Sequence, residues 1–100
     1  MGHFLVTMLR SGPSYDAGRA LEEQSDWAQH AGFMDELVDS GFVVLGGPLA
    51  DEHRVVLAVE SDSEAVVRHR LAADPWHDTH LVVDSVEPWS VRLDGTRRRG

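Results

Sequence analysis

The feature that most constrains this chain is the order in which strand-like and helix-like segments follow one another. Phe4 to Leu9 is short, apolar and partly β-branched, and it stops at the turn-forming cluster Arg10-Ser11-Gly12-Pro13, which predicts a first strand. Residues 11–20 form a polar loop longer than most connections in small domains. Between Leu21 and Ser40 apolar residues recur at helical spacing, on a face that contains Trp27, His30, Met34, Leu37 and Val38.

Three further segments have the composition of strands. Phe42 to Leu45 follows the helix-ending Gly41 and runs into Gly46-Gly47-Pro48-Leu49. Arg54 to Glu60 returns after a hairpin loop, and His80 to Val86 is the last apolar run, with Trp89 continuing the alternation.

A second helix is predicted between the last two of these strands. Ser61 and Glu64 have the spacing of a capping box, which predicts that the helix begins near Ser61. Pro75 disfavours the helical conformation in the residue before it, so the helix is expected to end near Asp74. The resulting order is β-α-β-β-α-β.

That order predicts an α+β chain of the ferredoxin-like type, a split βαβ arrangement with an antiparallel sheet and both helices on one face. The strands carry apolar residues at consecutive positions, as in Val43-Val44-Leu45 and Val55-Val56-Leu57, so both faces of the sheet require burial. A twofold-symmetric homodimer in which two sheets pack together meets that need. We therefore predict a homodimer.

Length and charge narrow the functional classes. One hundred residues suit one domain, which we place at residues 1–93, followed by a basic tail over residues 94–100 that contains Arg97, Arg98 and Arg99. The formal net charge of −8 repels phosphate backbones and argues against a nucleic-acid partner. The chain lacks cysteine, long apolar runs and a leader-like start, which predicts a cytoplasmic protein with no membrane partner.

Two titratable residues are the strongest candidates for chemistry. His30 falls in the middle of the apolar face of the first helix, where an imidazole faces either the sheet or a cavity. Asp74 lies at the end of the second helix, before Pro75. If both helices cover the same face of the sheet, the two side chains can converge, and an imidazole oriented by a carboxylate is a general base near neutral pH. The alternatives are a core histidine bonded to a backbone carbonyl and a surface aspartate that only ends a helix.

Further residues are candidates for binding a small molecule. Arg10, at the end of the first strand, can hold an anionic group through its guanidinium, although a solvent-exposed strand end is the simpler interpretation. Gly47 and Pro48 interrupt a strand and are expected to form a pocket wall beside His30 and Asp74. His77 and His80 lack a third ligand with suitable spacing, so neither a metal nor another cofactor is predicted.

Several short motifs, in this order and spacing, resemble the YciI-like (YCII-related) family. They run from Trp27 to Trp89 and comprise His30, Phe33, Leu37, Gly41-Phe42, Gly46-Gly47-Pro48-Leu49, Asp74-Pro75-Trp76 and Pro88-Trp89. The resemblance implies a dimeric α+β barrel with a ferredoxin-like fold in each subunit. It also implies a pocket with a histidine and an aspartate as active-site residues, at positions matching His30 and Asp74.

Most members of that family have no established reaction. One type is a dehydrochlorinase of a chlorinated hydroxyhydroquinone, in which His-Asp chemistry removes a proton and chloride leaves. The sequence therefore predicts a small cofactor-independent lyase or isomerase acting on a small organic molecule. The alternatives left open are a non-catalytic dimeric module that binds a small ligand or serves as an accessory subunit, and a cofactor-free oxygenase.

Overall fold

The structure is a computed structural model that describes residues 2–96, and it has the predicted order of strands and helices. A single 3₁₀ turn, Leu21–Glu23, precedes the first α-helix. The regular elements are β1 (Gly2–Leu9), α1 (Trp27–Asp39), β2 (Val43–Pro48), β3 (Arg54–Ser61), α2 (Glu64–Leu71) and β4 (Val82–Trp89).

The four strands form one antiparallel sheet in the order β2-β3-β1-β4. The central strands are β1 and β3, and the edge strands are β2 and β4. Each central strand is followed in the chain by a helix that leads to an edge strand, α1 from β1 to β2 and α2 from β3 to β4. This arrangement is compatible with the predicted ferredoxin-like fold. It places the first and the last strand side by side, since β1 pairs with β4 from His3 to Leu9.

The hydrophobic core lies between the helices and one face of the sheet. Alternate residues of a strand share a face, so the buried Phe4, Val6 and Met8 of β1 mark the covered side. The rest of this core comes from every other element and from the segment between α2 and β4: Leu37, Phe42, Val43, Leu57, Val59, Val67, Leu71, Trp76, Leu81 and Val86.

The second helix is shorter than predicted at both ends. Ser61 belongs to β3, and the cap is Ser63, whose hydroxyl accepts a hydrogen bond from the backbone N–H of Val66 at 3.2 Å. The helix ends at Leu71, so Asp74 lies in an irregular connection instead of the last helical turn. The capping-box prediction was wrong because strand pairing of Ser61 with Gly2 takes precedence over the local capping signal.

The first helix and the last strand also begin later than predicted. The helix starts at Trp27, after Asp26 in a left-handed conformation with φ of 59°. The last strand starts at Val82, because His80 and Leu81 belong to a turn in which their N–H groups donate to the carbonyl of Trp76.

The long loop over residues 11–20 is attached to that same turn. Gly12 N–H donates to the carbonyl of His80 at 3.1 Å, and Ser14 N–H donates to the carbonyl of Thr79 at 2.7 Å. Gly12 is buried at this contact. The loop therefore packs beside the segment that carries Asp74 and Trp76.

Arg97, Arg98 and Arg99 of the predicted basic tail lie outside the described residues. Within residues 2–96, no helix is long and apolar enough to cross a membrane.

Replacing Gly12 with alanine should destabilise the protein. A Cβ at this position would overlap the backbone carbonyl of Thr79 and stand 2.8 Å from the backbone nitrogen of His80, and neither backbone atom can move like a side-chain end. We expect Gly12→Ala to lower the free energy of unfolding by about 1 to 3 kcal/mol, measured by urea denaturation. Gly32→Ala is the control, because Gly32 lies in α1 with open space around it and should gain about 0.5 to 1 kcal/mol. Equal effects of the two substitutions would contradict this account of the loop.

Candidate functional site

The imidazole of His30 and the carboxylate of Asp74 are in direct contact. His30 Nδ1 lies 2.9 Å from both carboxylate oxygens, and both side chains are nearly fully buried. The predicted convergence of the two residues is thus present in the structure. The contact joins α1 to the irregular segment after α2 across 44 residues of sequence.

The backbone after Asp74 fixes the direction of its carboxylate. Oδ1 accepts a hydrogen bond from the backbone N–H of Trp76 at 2.9 Å, which closes a local turn around Pro75. The carboxylate is therefore held on one side by its own chain and directed on the other side at His30. Pro75 favours this turn because it restricts the backbone of Asp74.

The hydrogen-bond pattern assigns the tautomer of His30. A carboxylate accepts, so Nδ1 carries the proton and Nε2 is the acceptor nitrogen of the neutral ring. No residue among 2–96 forms a hydrogen bond with Nε2, and in that range no polar side-chain atom is buried without a partner. Nε2 is therefore unpaired but not enclosed, and the His30 side chain is one of those that line the adjoining cavity.

A cavity of about 120 Å³ adjoins the histidine. Apart from His30 and Arg10, its walls are apolar, and they are formed by Met8, Leu21, Trp27, Met34, Val55, Trp76 and Leu81. Cavities with mostly apolar walls and a few polar groups are typical of sites for small molecules. The alternative of His30 bonded to a backbone carbonyl in a closed core is not what the structure contains.

Trp76 supports the histidine from one side. Its indole is stacked on the His30 ring with centroids 4.1 Å apart and planes 5° apart, and it also stacks on the His80 ring at 4.5 Å and 14°. Trp76 Nε1 donates to the carbonyl of Ser25 at 2.8 Å, which orients the indole. No role for Trp76 was predicted from the sequence, where its place directly after Asp74-Pro75 was the available signal.

The environment of His80 differs from that of His30, because both of its ring nitrogens are hydrogen-bonded. Thr79 Oγ1 donates to the carbonyl of Pro75 at 3.1 Å, so it accepts from His80 Nδ1 at 2.9 Å. The Ser25 hydroxyl then donates to His80 Nε2 at 2.9 Å. Burial lowers the pKa of His80 below its ordinary value of 6.5, an effect partly offset by the charges of Asp26 and Asp74.

Arg10 is buried at the cavity, contrary to the simpler interpretation as an exposed strand end. Its side chain is only 7% exposed, and it is held by the hairpin loop between β2 and β3. Nη1 donates to the backbone carbonyl of Glu52 at 2.9 Å, and the backbone N–H of Arg10 donates to the carbonyl of His53 at 2.9 Å. Arg10 and His30 thus share one cavity.

Gly47 and Pro48 do not line the cavity of His30. They border a shallow depression with Leu45 and Val56, and Gly47 also lines a second one beside Met34. The expectation that both residues form a wall beside His30 and Asp74 was therefore wrong for the single chain. The reason is that β2 is an edge strand, while the cavity is bounded by the central strands β1 and β3.

His77 and His80 do not form a cluster that holds a metal. His77 Nε2 pairs with the Asp78 carboxylate at 3.3 Å, whereas His80 is turned into the protein towards Ser25. Within residues 2–96 no group of three or more histidine, cysteine, aspartate or glutamate side chains has the arrangement of a metal site.

No protein-family model, no curated protein and no solved structure matches this chain. The resemblance to the YciI-like family stays a prediction from the motifs of the sequence.

The buried His80 should make the stability of the protein depend on pH in a defined window. Because its pKa is lower in the folded protein than in the unfolded chain, the unfolded chain binds more protons as the pH falls below about 6.5, and folding becomes less favourable. We expect this group to contribute a slope of at most about 1.4 kcal/mol per pH unit, reached between pH 6.5 and the folded pKa.

The measurement is urea denaturation from pH 7.5 to 5. His80→Gln should reduce the loss of stability in that interval even if its stability at pH 7.5 is lower than that of the wild type. His69→Gln, on the exposed side of α2, is the control and should keep the slope of the wild type. Identical slopes for His80→Gln and the wild type would contradict the assignment.

Proposed function

We propose that this protein is a small cofactor-independent enzyme of the lyase or isomerase type, in which His30 is the general base and Asp74 orients it. The observation that carries the proposal is that His30 Nδ1 is hydrogen-bonded to Asp74 while Nε2 has no partner among residues 2–96 and the side chain lines a cavity. A histidine with only a structural role has no need of an acceptor nitrogen left open at a cavity. The resemblance to the YciI-like family points to the same two residues.

The reaction begins with transfer of a proton from a substrate carbon to His30 Nε2. The ring then carries a positive charge, which the adjacent carboxylate of Asp74 stabilises without taking the proton itself. The electron pair of the broken C–H bond forms a double bond to the next carbon. Either a leaving group then departs from that carbon with its bonding electrons, or the electron pair of an existing double bond at that carbon shifts one atom further and the proton is returned there. The first outcome is the reaction of a lyase, and the second is the reaction of an isomerase.

The apolar walls assist this proton transfer in two ways. The stack of Trp76 on His30 limits rotation of the imidazole, so Nε2 keeps its direction into the cavity. The low polarity around the pair strengthens the interaction between the imidazolium and the carboxylate compared with the same pair in water.

We further propose that the protein functions as a homodimer through the sheet face that the helices leave uncovered. Leu45 is 67% exposed and Trp89 is 44% exposed on this face, next to the half-buried Leu5, Val56 and Ala58. Leu45 and Leu5 both pair with Ala58, which places them on the same side of the sheet. A second copy would remove this apolar area from water, and the uncovered faces of two sheets are suited to each other by symmetry.

The role of His30 can be tested before the substrate is known, because proton abstraction leaves a trace of its own. Incubating the protein in D₂O with a panel of small carboxylic acids, phenols and lactones should replace a substrate C–H by C–D, measured by NMR. We expect His30→Gln and Asp74→Asn to slow this exchange by about 10²-fold or more, since each removes general-base catalysis. His69→Gln, exposed on α2 and outside the lining of the cavity, should retain the wild-type rate.

Two results would contradict the proposal. Full exchange by His30→Gln would show that another group is the base. Saturable binding of a panel compound by the wild type without any exchange or turnover would favour the non-catalytic ligand-binding module.

The dimer is tested by light scattering at micromolar concentration. The wild type should have twice the 11.1 kDa mass of one chain, and Leu45→Glu should reduce this to the mass of the monomer because a carboxylate cannot be buried unpaired in the interface. Val66→Glu is the matched control, since Val66 is an exposed valine on α2 and its substitution should leave the dimer intact. A monomeric wild type would overturn this part of the proposal.

A further inference from the structure

The guanidinium of Arg10 has hydrogen-bond donors that the protein does not use. Its side chain is more than nine-tenths buried, and Nη1 is its only nitrogen with a hydrogen bond among residues 2–96. In that range no polar side-chain atom is buried without a partner, so Nε and Nη2 must face open space. Arg10 lines the walls of two cavities, and these donors are therefore available to a molecule in one of them.

The two cavities differ in volume and in the polarity of their walls, and both are lined by Arg10 and Leu21. The inner one, beside His30, has a volume of about 120 Å³ and mostly apolar walls. The outer one has a volume of about 410 Å³ and is bordered by polar groups of the loop over residues 11–20, among them Tyr15 and Arg19, and by the hairpin loop over residues 51–53. The long loop over residues 11–20 thus borders the outer cavity, which shares two lining residues with the inner one.

The size of the inner cavity limits what it can hold. A dry cavity of about 150 Å³ binds one benzene molecule, so about 120 Å³ that opens outward at Arg10 fits a single small ring or an aliphatic body of similar bulk. A guanidinium that presents Nε–H and Nη2–H on one edge matches the two oxygens of a carboxylate. The remaining nitrogen, Nη1, is bonded to the Glu52 carbonyl, which fixes that edge in place.

We propose that the substrate is a carboxylic acid with an apolar body about as large as one six-membered ring, bound with its carboxylate on Arg10 Nε and Nη2 and its body in the inner cavity. This rests on the proposed function, because it names the substrate class of the same site. The carboxylate would lie at the junction of the two cavities, and the outer cavity would be the route by which it enters. His30 Nε2 then faces the carbon skeleton of the bound acid.

Two of the charged groups at the outer cavity, Arg19 and Asp51, are paired with residues other than Arg10. Arg19 is paired with Asp16 at 3.3 Å, and the Asp51 carboxylate accepts from Arg54 Nε at 2.8 Å. The Asp51 carboxylate also accepts hydrogen bonds from the backbone N–H groups of His53 and Arg54, which lower its pKa and keep it charged. The Glu52 carboxylate is 3.7 Å from Arg10 Nη1 and 73% exposed, so this ion pair is screened by solvent and involves the nitrogen that already donates to the Glu52 carbonyl.

The test uses the full-length protein and benzoate as the probe, with titrations followed by NMR of the His30 ring signals and by calorimetry. Benzamide has the same shape without the charge, and acetate has the charge without the ring. We expect benzoate to bind saturably and to bind at least about tenfold more tightly than either of the other two. Benzamide binding as tightly as benzoate, or benzoate leaving the His30 signals unchanged, would overturn the inference.

Variants assign the binding to Arg10. Arg10→Gln should weaken benzoate binding by about tenfold or more, and Arg10→Lys should restore only part of the affinity, because an ammonium keeps the charge but not the paired donors. Arg68→Gln, at the exposed arginine of α2 that pairs with Glu64, is the matched control and should change the affinity by less than about twofold. Circular dichroism of each variant confirms folding. Unchanged affinity in folded Arg10→Gln would overturn the inference.

Different results would contradict the ligand class and the proposed function. Benzoate binding through Arg10 by a protein that exchanges no substrate proton would overturn the function and keep the ligand class. Proton exchange on uncharged compounds at the wild-type rate in Arg10→Gln would keep the function and overturn the ligand class.

Discussion

The candidate site depends on the burial of one aromatic side chain, Trp76. The indole is 1% exposed and lies between the rings of His30 and His80, and its backbone carbonyl accepts hydrogen bonds from the three N–H groups of residues 79–81. Burying an indole of this size contributes several kcal/mol through removal of apolar area from water. That burial holds the irregular segment after α2 against α1, and the contact of Asp74 with His30 follows from it.

The two histidines that stack on Trp76 differ in the hydrogen bonds of their ring nitrogens. His80 lies on the inner side of Trp76 with both nitrogens bonded by the hydroxyls of Ser25 and Thr79, so it is saturated and its neutral form is favoured. His30 lies on the cavity side with one nitrogen bonded to a carboxylate and one open. Only the second arrangement can take a proton from a ligand and stabilise the resulting charge.

The order of elements was predicted because it depends on signals close together in the chain, whereas the pairing of His30 with Asp74, 44 residues apart, was expected from the placement of both helices on one face of the sheet and from the family resemblance. Helical spacing places His30 on the inner face of α1, and the Asp-Pro step stops regular structure at Asp74. Element boundaries were less accurate, since the strand pairing of Ser61 and the turn at His80 are decided by distant partners. The position of Gly47 was missed for a related reason, because the place of β2 at the edge follows from the sheet order.

The parts of the site that the sequence did not predict are those built by contacts between loops. Nothing in Arg10-Ser11-Gly12 indicates that Gly12 packs on the backbone of Thr79, or that the carbonyl of Glu52 holds the Arg10 guanidinium. These contacts depend on the meeting of three connections at one end of the sheet: the loop after β1, the β2–β3 hairpin and the turn before β4. At this meeting point the Arg10 side chain is 7% exposed, Nη1 donates to the carbonyl of Glu52, and Nε and Nη2 have no hydrogen-bond partner among residues 2–96. A largely buried guanidinium is stabilised when a solvent molecule or an anion accepts from its unused donors, so the carboxylate site that we propose beside His30 would follow from the way these three connections meet.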